Sequence, residues 1–247
     1  MESAEFLAGS DKNKNLLVWS DVNNPTYFPE NNYAYIGEAS QKITALAKQS
    51  DMLVIFKENE LFYTVYTQGD SYTADDVVSG NVVDVAAQAA IFPMVQIHSE
   101  IGCDIPKSVQ LCGDRLVWAC KDRHVYMLKS SNQYSTCNIS PISDMCDRAL
   151  SNVADDEIAD AKSCIYDGHY LLAFGSKVFV LNYDYYYFKN LPAYSDGQKA
   201  QRKMIWYLWE FPQNQGNLFS EFISSGDQLH IVSAYKYYPA SGSPAYT

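Results

Sequence analysis

The chain has 247 residues, 47% of them hydrophobic and 19% charged, enough apolar material for a sizeable core and too much for a disordered chain or a coiled coil. Its formal net charge of −11 opposes a surface built to neutralise phosphates, so nucleic acid is not an expected partner. No window reaches the ~18 consecutive apolar residues of a membrane helix, and the opening MESAEFLAGSDKNKN lacks the cationic and apolar regions of a signal peptide, so a soluble protein of a cytoplasm is expected.

The first apolar run, KNLLVWS, leads into WSDVNNPTYFPENN (19–32), which is rich in rings and asparagine and fits neither strand nor helix. Beyond it the chain repeats itself. PKSVQLCGDRLVWACKDRHVYMLKS (106–130) lies over AKSCIYDGHYLLAFGSKVFVLNY (161–183), with Lys107-Ser108 on Lys162-Ser163 and Gly113 on Gly168. Each copy reads as a short strand, a Gly or Asp turn, an apolar strand, a tight turn and another apolar strand. Weaker copies are ITALAKQSDMLVIFKENELFYTVY (43–66) and FSEFISSGDQLHIVSAYKYY (219–238), and KNLLVWS matches the second strand alone. Counted on the first leucine of that second strand, the series is Leu16, Leu53, Leu116, Leu171 and Leu229. The intervals of 37, 63, 55 and 58 residues suit a four-stranded unit with variable loops.

Strand chemistry dominates, because Val, Ile, Tyr, Phe and Trp fall in short runs bounded by Gly, Asp, Asn and Ser. Helical patterning is confined to 81–92 and to a short segment within 144–161. The expected fold is all-β, a propeller-like series of four-stranded antiparallel blades, since radial stacking hides edges and covers both faces of the middle strands. A β-sandwich is the alternative. Complete blades are expected near 43–100, 106–146 and 161–211, with outer strands from the N-terminus and inner strands from the C-terminus pairing to close a small ring. Equally, the single domain over 1–247 is a fragment of a larger propeller.

With that architecture in place, two segments resemble bacteriophage structural proteins of the tail and the head-to-tail joining region. The first, 16–66, carries the marker loop Trp19, Asp21, Pro25, Phe28, Pro29 and Asn32, then Gly37 and a strand pair reading ITAL…IFKE..LF. The second, 100–128, carries Ile101-Gly102-Cys103 and Pro106-x-Ser108 before an inner strand. The resemblance implies a propeller-type module in a virion or prophage-encoded structural protein, assembled in the bacterial host cytoplasm and partnered by other virion proteins. Tyr27 and Phe28 are expected to anchor the loop by packing.

Tests for chemistry return little. The six cysteines form no CxxC, and the four histidines (His98, His124, His169, His230) show no HxH or HExxH spacing, so neither metal nor cofactor is expected. A glycosidase needs convergent carboxylates, yet the expected inner strands and their entries offer only Asp104, Asp160, Asp167 and Glu221. Acidic stretches at 73–84 and 154–160 lack the alternating ligands of a calcium loop and read as solvated charge. The protein is therefore expected not to be an enzyme.

The remaining candidate is LNYDYYYFKNLPAYS (181–195). In a strand, Tyr183, Tyr185 and Tyr187 face one side, and Asp184, Tyr186 and Phe188 the other. Exposed tyrosines suit protein interfaces, where the ring packs and the hydroxyl bonds. The expected role is a docking scaffold in a virion, with oligomerisation open. The alternative is a carbohydrate-binding or glycoside-cleaving propeller that stacks sugars on these rings.

Overall fold

The computed structural model describes residues 4–66, 92–129, 139–189, 201–210, 217–225, 227–237 and 245–246. The chain divides into two compact units, 1–104 and 105–247. Among the described residues their regular structure is mainly strand, in five antiparallel sheets that each take consecutive strands. In the first unit, sheet 1 comprises β1 (Phe6–Ala8), β2 (Leu16–Trp19) and β3 (Tyr33–Tyr35). Sheet 2 comprises β4 (Ile43–Gln49), β5 (Met52–Lys57), β6 (Leu61–Val65) and β7 (Met94–His98).

In the second unit, sheet 3 comprises β8 (Gln110–Cys112), β9 (Arg115–Ala119), β10 (Val125–Leu128) and β11 (Ile139–Pro141). Sheet 4 comprises β12 (Lys162–Tyr166), β13 (His169–Phe174), β14 (Lys177–Lys189) and β15 (Gln201–Glu210). Sheet 5 comprises β16 (Asn217–Ser225), β17 (Gln228–Tyr237) and β18 (Ala245–Tyr246). Each of the five repeat leucines falls on the second strand of its sheet: β2, β5, β9, β13 and β17.

Those second strands are central, and the middle ones are apolar on both faces. In β13, Tyr170, Leu172 and Phe174 join Val117, Val125 and Met127 of sheet 3 in one core. The alternate residues Leu171 and Ala173 join Val178, Val180 and Phe222 of sheet 5 in another. Period-two alternation therefore puts sheet 4 between two neighbours, and β13 is buried throughout apart from its first residue. Polar links follow the same stacking. Tyr170, fully buried, donates from its hydroxyl to the Ser108 carbonyl at 2.8 Å, and Trp206 Nε1–H donates to the Ile142 carbonyl at 2.8 Å.

The first unit repeats this arrangement between sheets 1 and 2, where Leu17, Ile36, Ile43, Ile55 and Phe62 form the core. Its centre holds a cation. Lys57 is fully buried, and its ammonium donates to the carbonyls of Ile36 (2.8 Å) and Glu38 (2.7 Å) and to Glu60 Oε2 (2.7 Å). Three donors meet three acceptors, which is the condition for a lysine to be retained in a dry site. Gly37, at φ +53°, permits the cage, because a Cβ there would lie 2.5 Å from Glu60 Oε2 and 2.9 Å from Lys57 Nζ. Gly102 lets the loop after β7 pass against the same hairpin, since a Cβ there would lie 2.2 Å from the Lys57 carbonyl. That carbonyl accepts the Cys103 N–H at 2.7 Å.

Several expectations need correction. The N-terminal segment supplies a full three-stranded sheet with β2 in the middle, where outer strands alone were expected. The segment within 144–161 forms two short helices, Asp147–Leu150 and Asp155–Ala159. The helical patterning expected at 81–92 lies, but for Phe92, outside the described residues.

Lys57→Ala is expected to lower the unfolding free energy by about 3–5 kcal/mol, because it strands Glu60 and two carbonyls in the core. Urea denaturation followed by tryptophan fluorescence checks this. Tyr170→Phe, which keeps the ring and removes one buried hydrogen bond, is expected to cost about 1–3 kcal/mol in the same assay.

Candidate functional site

Sheet 4 outgrows its own central strand. β13 follows β14 only as far as the His169–Asn182 pair. β14 continues to Lys189, paired there with β15 alone through Tyr186–Met204, Tyr187–Lys203, Phe188–Arg202 and Lys189–Gln201. The aromatic run is therefore the backbone of a two-stranded ribbon. Between Asn182–Ile205 and Tyr186–Met204 three residues of β14, Tyr183, Asp184 and Tyr185, have no opposite number. This bulge puts a backbone register shift inside the aromatic run. Tyr183 is half-buried against the core between sheets 3 and 4. The side chains of Tyr185, Tyr186, Tyr187 and Phe188 lie outside the described residues.

The opposing strand was missed as a site in the sequence. On β15, Trp206 is buried, whereas Tyr207, Leu208 and Trp209 are 52%, 38% and 41% exposed. Its signal was legible as IWYLWEF, a run with four aromatic residues, but periodicity alone does not mark which strand ends a sheet.

The marker loop is a packed connection. Trp19 is buried, 5.6 Å from the Phe92 ring, and its N–H donates to the Asn32 carbonyl at 3.0 Å. Buried Asn32 donates to the Ser20 carbonyl at 3.5 Å, and the Asp21 N–H donates to the Tyr27 carbonyl at 2.8 Å. Pro25 is exposed, while Phe28 and Pro29 are half-buried. Tyr27 does not anchor the loop as expected, being 57% exposed, and Trp19 fills that role. The other marker residues are equally structural. Ser108 is buried, donates from Oγ to the Ile105 carbonyl at 2.6 Å, and accepts the Ala119 N–H at 2.9 Å.

The carboxylates named from the sequence are each engaged otherwise or exposed. Asp160 pairs with the Lys162 ammonium. Asp167 takes φ +46° in the β12–β13 turn beside Gly168 at +70°, and its carbonyl faces His169 Nδ1 at 2.6 Å. Glu221 is exposed on β16, and Asp104 is half-buried in the first unit. In the acidic stretch, Asp155 pairs with Arg123 at 2.7 Å and Glu157 Oε2 accepts the Ala154 N–H at 3.4 Å, which caps the second short helix. Among the described residues no group of three or more His, Cys, Asp or Glu stands together as a metal set. The stretch at 73–84 lies outside them.

A cavity of about 430 Å³ in the first unit is walled by Phe6, Leu46, Met52, Leu53, Tyr66 and Phe92. Thr64 Oγ1 lies buried on its lining without a hydrogen-bond partner. Glu5, Lys48 and Asp51 also line it. Burial pushes Cys112 and Cys146 up to about 12, the latter helped by the Asp147 carboxylate, and burial with the Glu221 carboxylate pushes Cys164 up to about 11.

No family model matches the chain, and no curated protein matches it. Among solved structures, it is similar to PorZ, a bacterial surface component of the type-IX secretion system of Porphyromonas gingivalis, at 13% identity and a TM-score of 0.42. That match covers 99% of this chain and 25% of the other, so the chain spans a quarter of that protein's length. It is also similar to a chain of the yeast Nup82-Nup159-Nup116 nucleoporin complex, at 10% identity and a TM-score of 0.30, covering 94% and 80% of the two chains. Both likenesses fall below the level of a shared fold.

The raised thiol values have a stability consequence. A folded-state pKa above the unfolded one adds stability at neutral pH, and this is lost as pH rises from about 9 towards 12. Native protein at pH 8 is therefore expected to leave Cys112 and Cys146 unlabelled by iodoacetamide. Mass spectrometry of the peptides should show labelling only after unfolding.

Proposed function

We propose that the chain is a β-propeller-type scaffold without catalytic activity, which docks other proteins through the β14–β15 ribbon. We further propose that its partners are structural proteins of a phage tail or head-to-tail joining region. The ribbon carries the docking reading. Two strands alone are marginal in water and gain stability from a third strand or a packed surface. Here they extend beyond their sheet in a tyrosine-rich sequence.

The propeller reading is supported by five consecutive antiparallel sheets, with the repeat leucine on every second strand. It is also supported by contacts between first strands. Gln110 Nε2 on β8 donates to Ser163 Oγ on β12 at 3.0 Å, and the Tyr166 hydroxyl on β12 donates to the Asp227 carbonyl just after β16. First strands of neighbouring blades meet in this way around a propeller's channel. The virion assignment is read from the resemblance of 16–66 and 100–128. Absence of catalysis is read from the sequence, whose expected inner strands and their entries offer only Asp104, Asp160, Asp167 and Glu221.

A carbohydrate-binding reading has one favourable observation. Tyr207 and Trp209 are both exposed, and their even spacing puts them on one face of β15, where rings of this kind stack on sugars.

Particles purified on a density gradient are expected to contain the chain at fixed stoichiometry by quantitative mass spectrometry. Recovery only in the soluble fraction would remove the virion assignment. A glycan array with Trp209→Ala as control separates the second reading. Binding lost in the variant supports it, and no binding to any glycan removes it.

A further inference from the structure

The outer strands of the four-stranded sheets differ in one respect. β7 has five residues and β11 three, the last of them Pro141. Short edges and proline are the ordinary means by which a sheet resists strand addition. β15 has ten residues and no proline, and it carries no charge from Met204 to Trp209. Tyr207, Leu208 and Trp209 are consecutive, so they point to alternate faces, and all three are exposed. Among the described residues, β15 is thus open on both faces as well as being last in its sheet. Trp206, immediately before them, is buried and donates to the Ile142 carbonyl, which ties this part of the strand to sheet 3.

The charges on the strand are polarised. Arg202 and Lys203 stand at its start and Glu210 at its end, with Met-Ile-Trp-Tyr-Leu-Trp between. An antiparallel copy of the same strand brings unlike ends together. With −11 on each copy, association needs such a locally complementary patch to overcome general repulsion. A two-fold axis normal to a sheet keeps every residue on its own face, so opposite residues must share parity. The register centred on Trp206 meets that requirement. It sets Arg202 opposite the second copy's Glu210 at both ends, Lys203 opposite Trp209, Met204 opposite Leu208 and Ile205 opposite Tyr207.

We propose that β15 is the seam of a symmetric homodimer, in which sheet 4 of one copy continues antiparallel into sheet 4 of a second. The inference depends on β15 alone and stands whether or not the chain belongs to a virion. Its partner is the chain itself, so its failure is distinguishable from failure of that reading.

Sedimentation equilibrium on the full chain, from roughly 1 to 100 µM, is expected to show a monomer–dimer equilibrium. Leu208→Lys, and independently Trp209→Lys, are expected to abolish the dimer while leaving the far-ultraviolet circular dichroism unchanged. Arg202→Glu and Glu210→Arg are each expected to weaken dimerisation about tenfold, through like charges set opposite at both ends. The double reversal is expected to restore it, because both pairs return with their signs exchanged. A natively folded monomer at the highest concentration overturns the proposal. So does a dimer indifferent to both lysine variants, or a double reversal no better than either single change.

Discussion

A strand that is apolar on both faces needs a packed layer on each side of it. In β13 this requirement is met by splitting its residues between two cores, Tyr170, Leu172 and Phe174 towards sheet 3, and Leu171 and Ala173 towards sheet 5. The stacking of consecutive sheets follows from it, as do the hydrogen bonds of Tyr170 and Trp206, which join one sheet to the next where apolar contact alone would permit sliding. Burial here is non-directional and sets proximity, whereas the polar links set register.

The first unit solves a harder problem, since its stacked sheets enclose a lysine. Desolvating an ammonium is costly, and only a full set of acceptors offsets that cost. The three acceptors come from two places in the chain: Ile36 and Glu38 after β3, and Glu60 in the β5–β6 turn. Gly37, Gly102 and Cys103 then pack around the same residue. The marker residues singled out in 16–66 are therefore largely those that build this cage and the Trp19 loop. They mark how the unit is held together, with the Trp19 ring buried at its centre.

The second unit places its unusual chemistry at the other extreme of burial. β14 and β15 leave the shelter of β13, and β15 exposes three consecutive large side chains. Exposed apolar surface on a long unprotected edge is destabilising in isolation and useful in an assembly. The contrast with β7 and β11 shows that the same repeat can end in a blunted strand or an open one. Where the strands are short the edge is closed by length alone.

The strand content, the repeat and the identity of the second strands were legible because they depend on local alternation and turn residues, which a sequence states directly. Leu16, Leu53, Leu116, Leu171 and Leu229 needed no fold to be aligned. The aromatic run 181–188 was legible as a candidate, but not its bulge, which arises from the pairing of β14 with a strand some twenty residues away. Nor was the Lys57 cage legible, since a lysine ending an apolar strand looks like the point where the strand meets water. Its burial depends on carbonyls contributed by other segments. Alternation along the chain determined which residues share a face. Only the tertiary structure decided which faces are covered, because covering is a property of what packs from elsewhere.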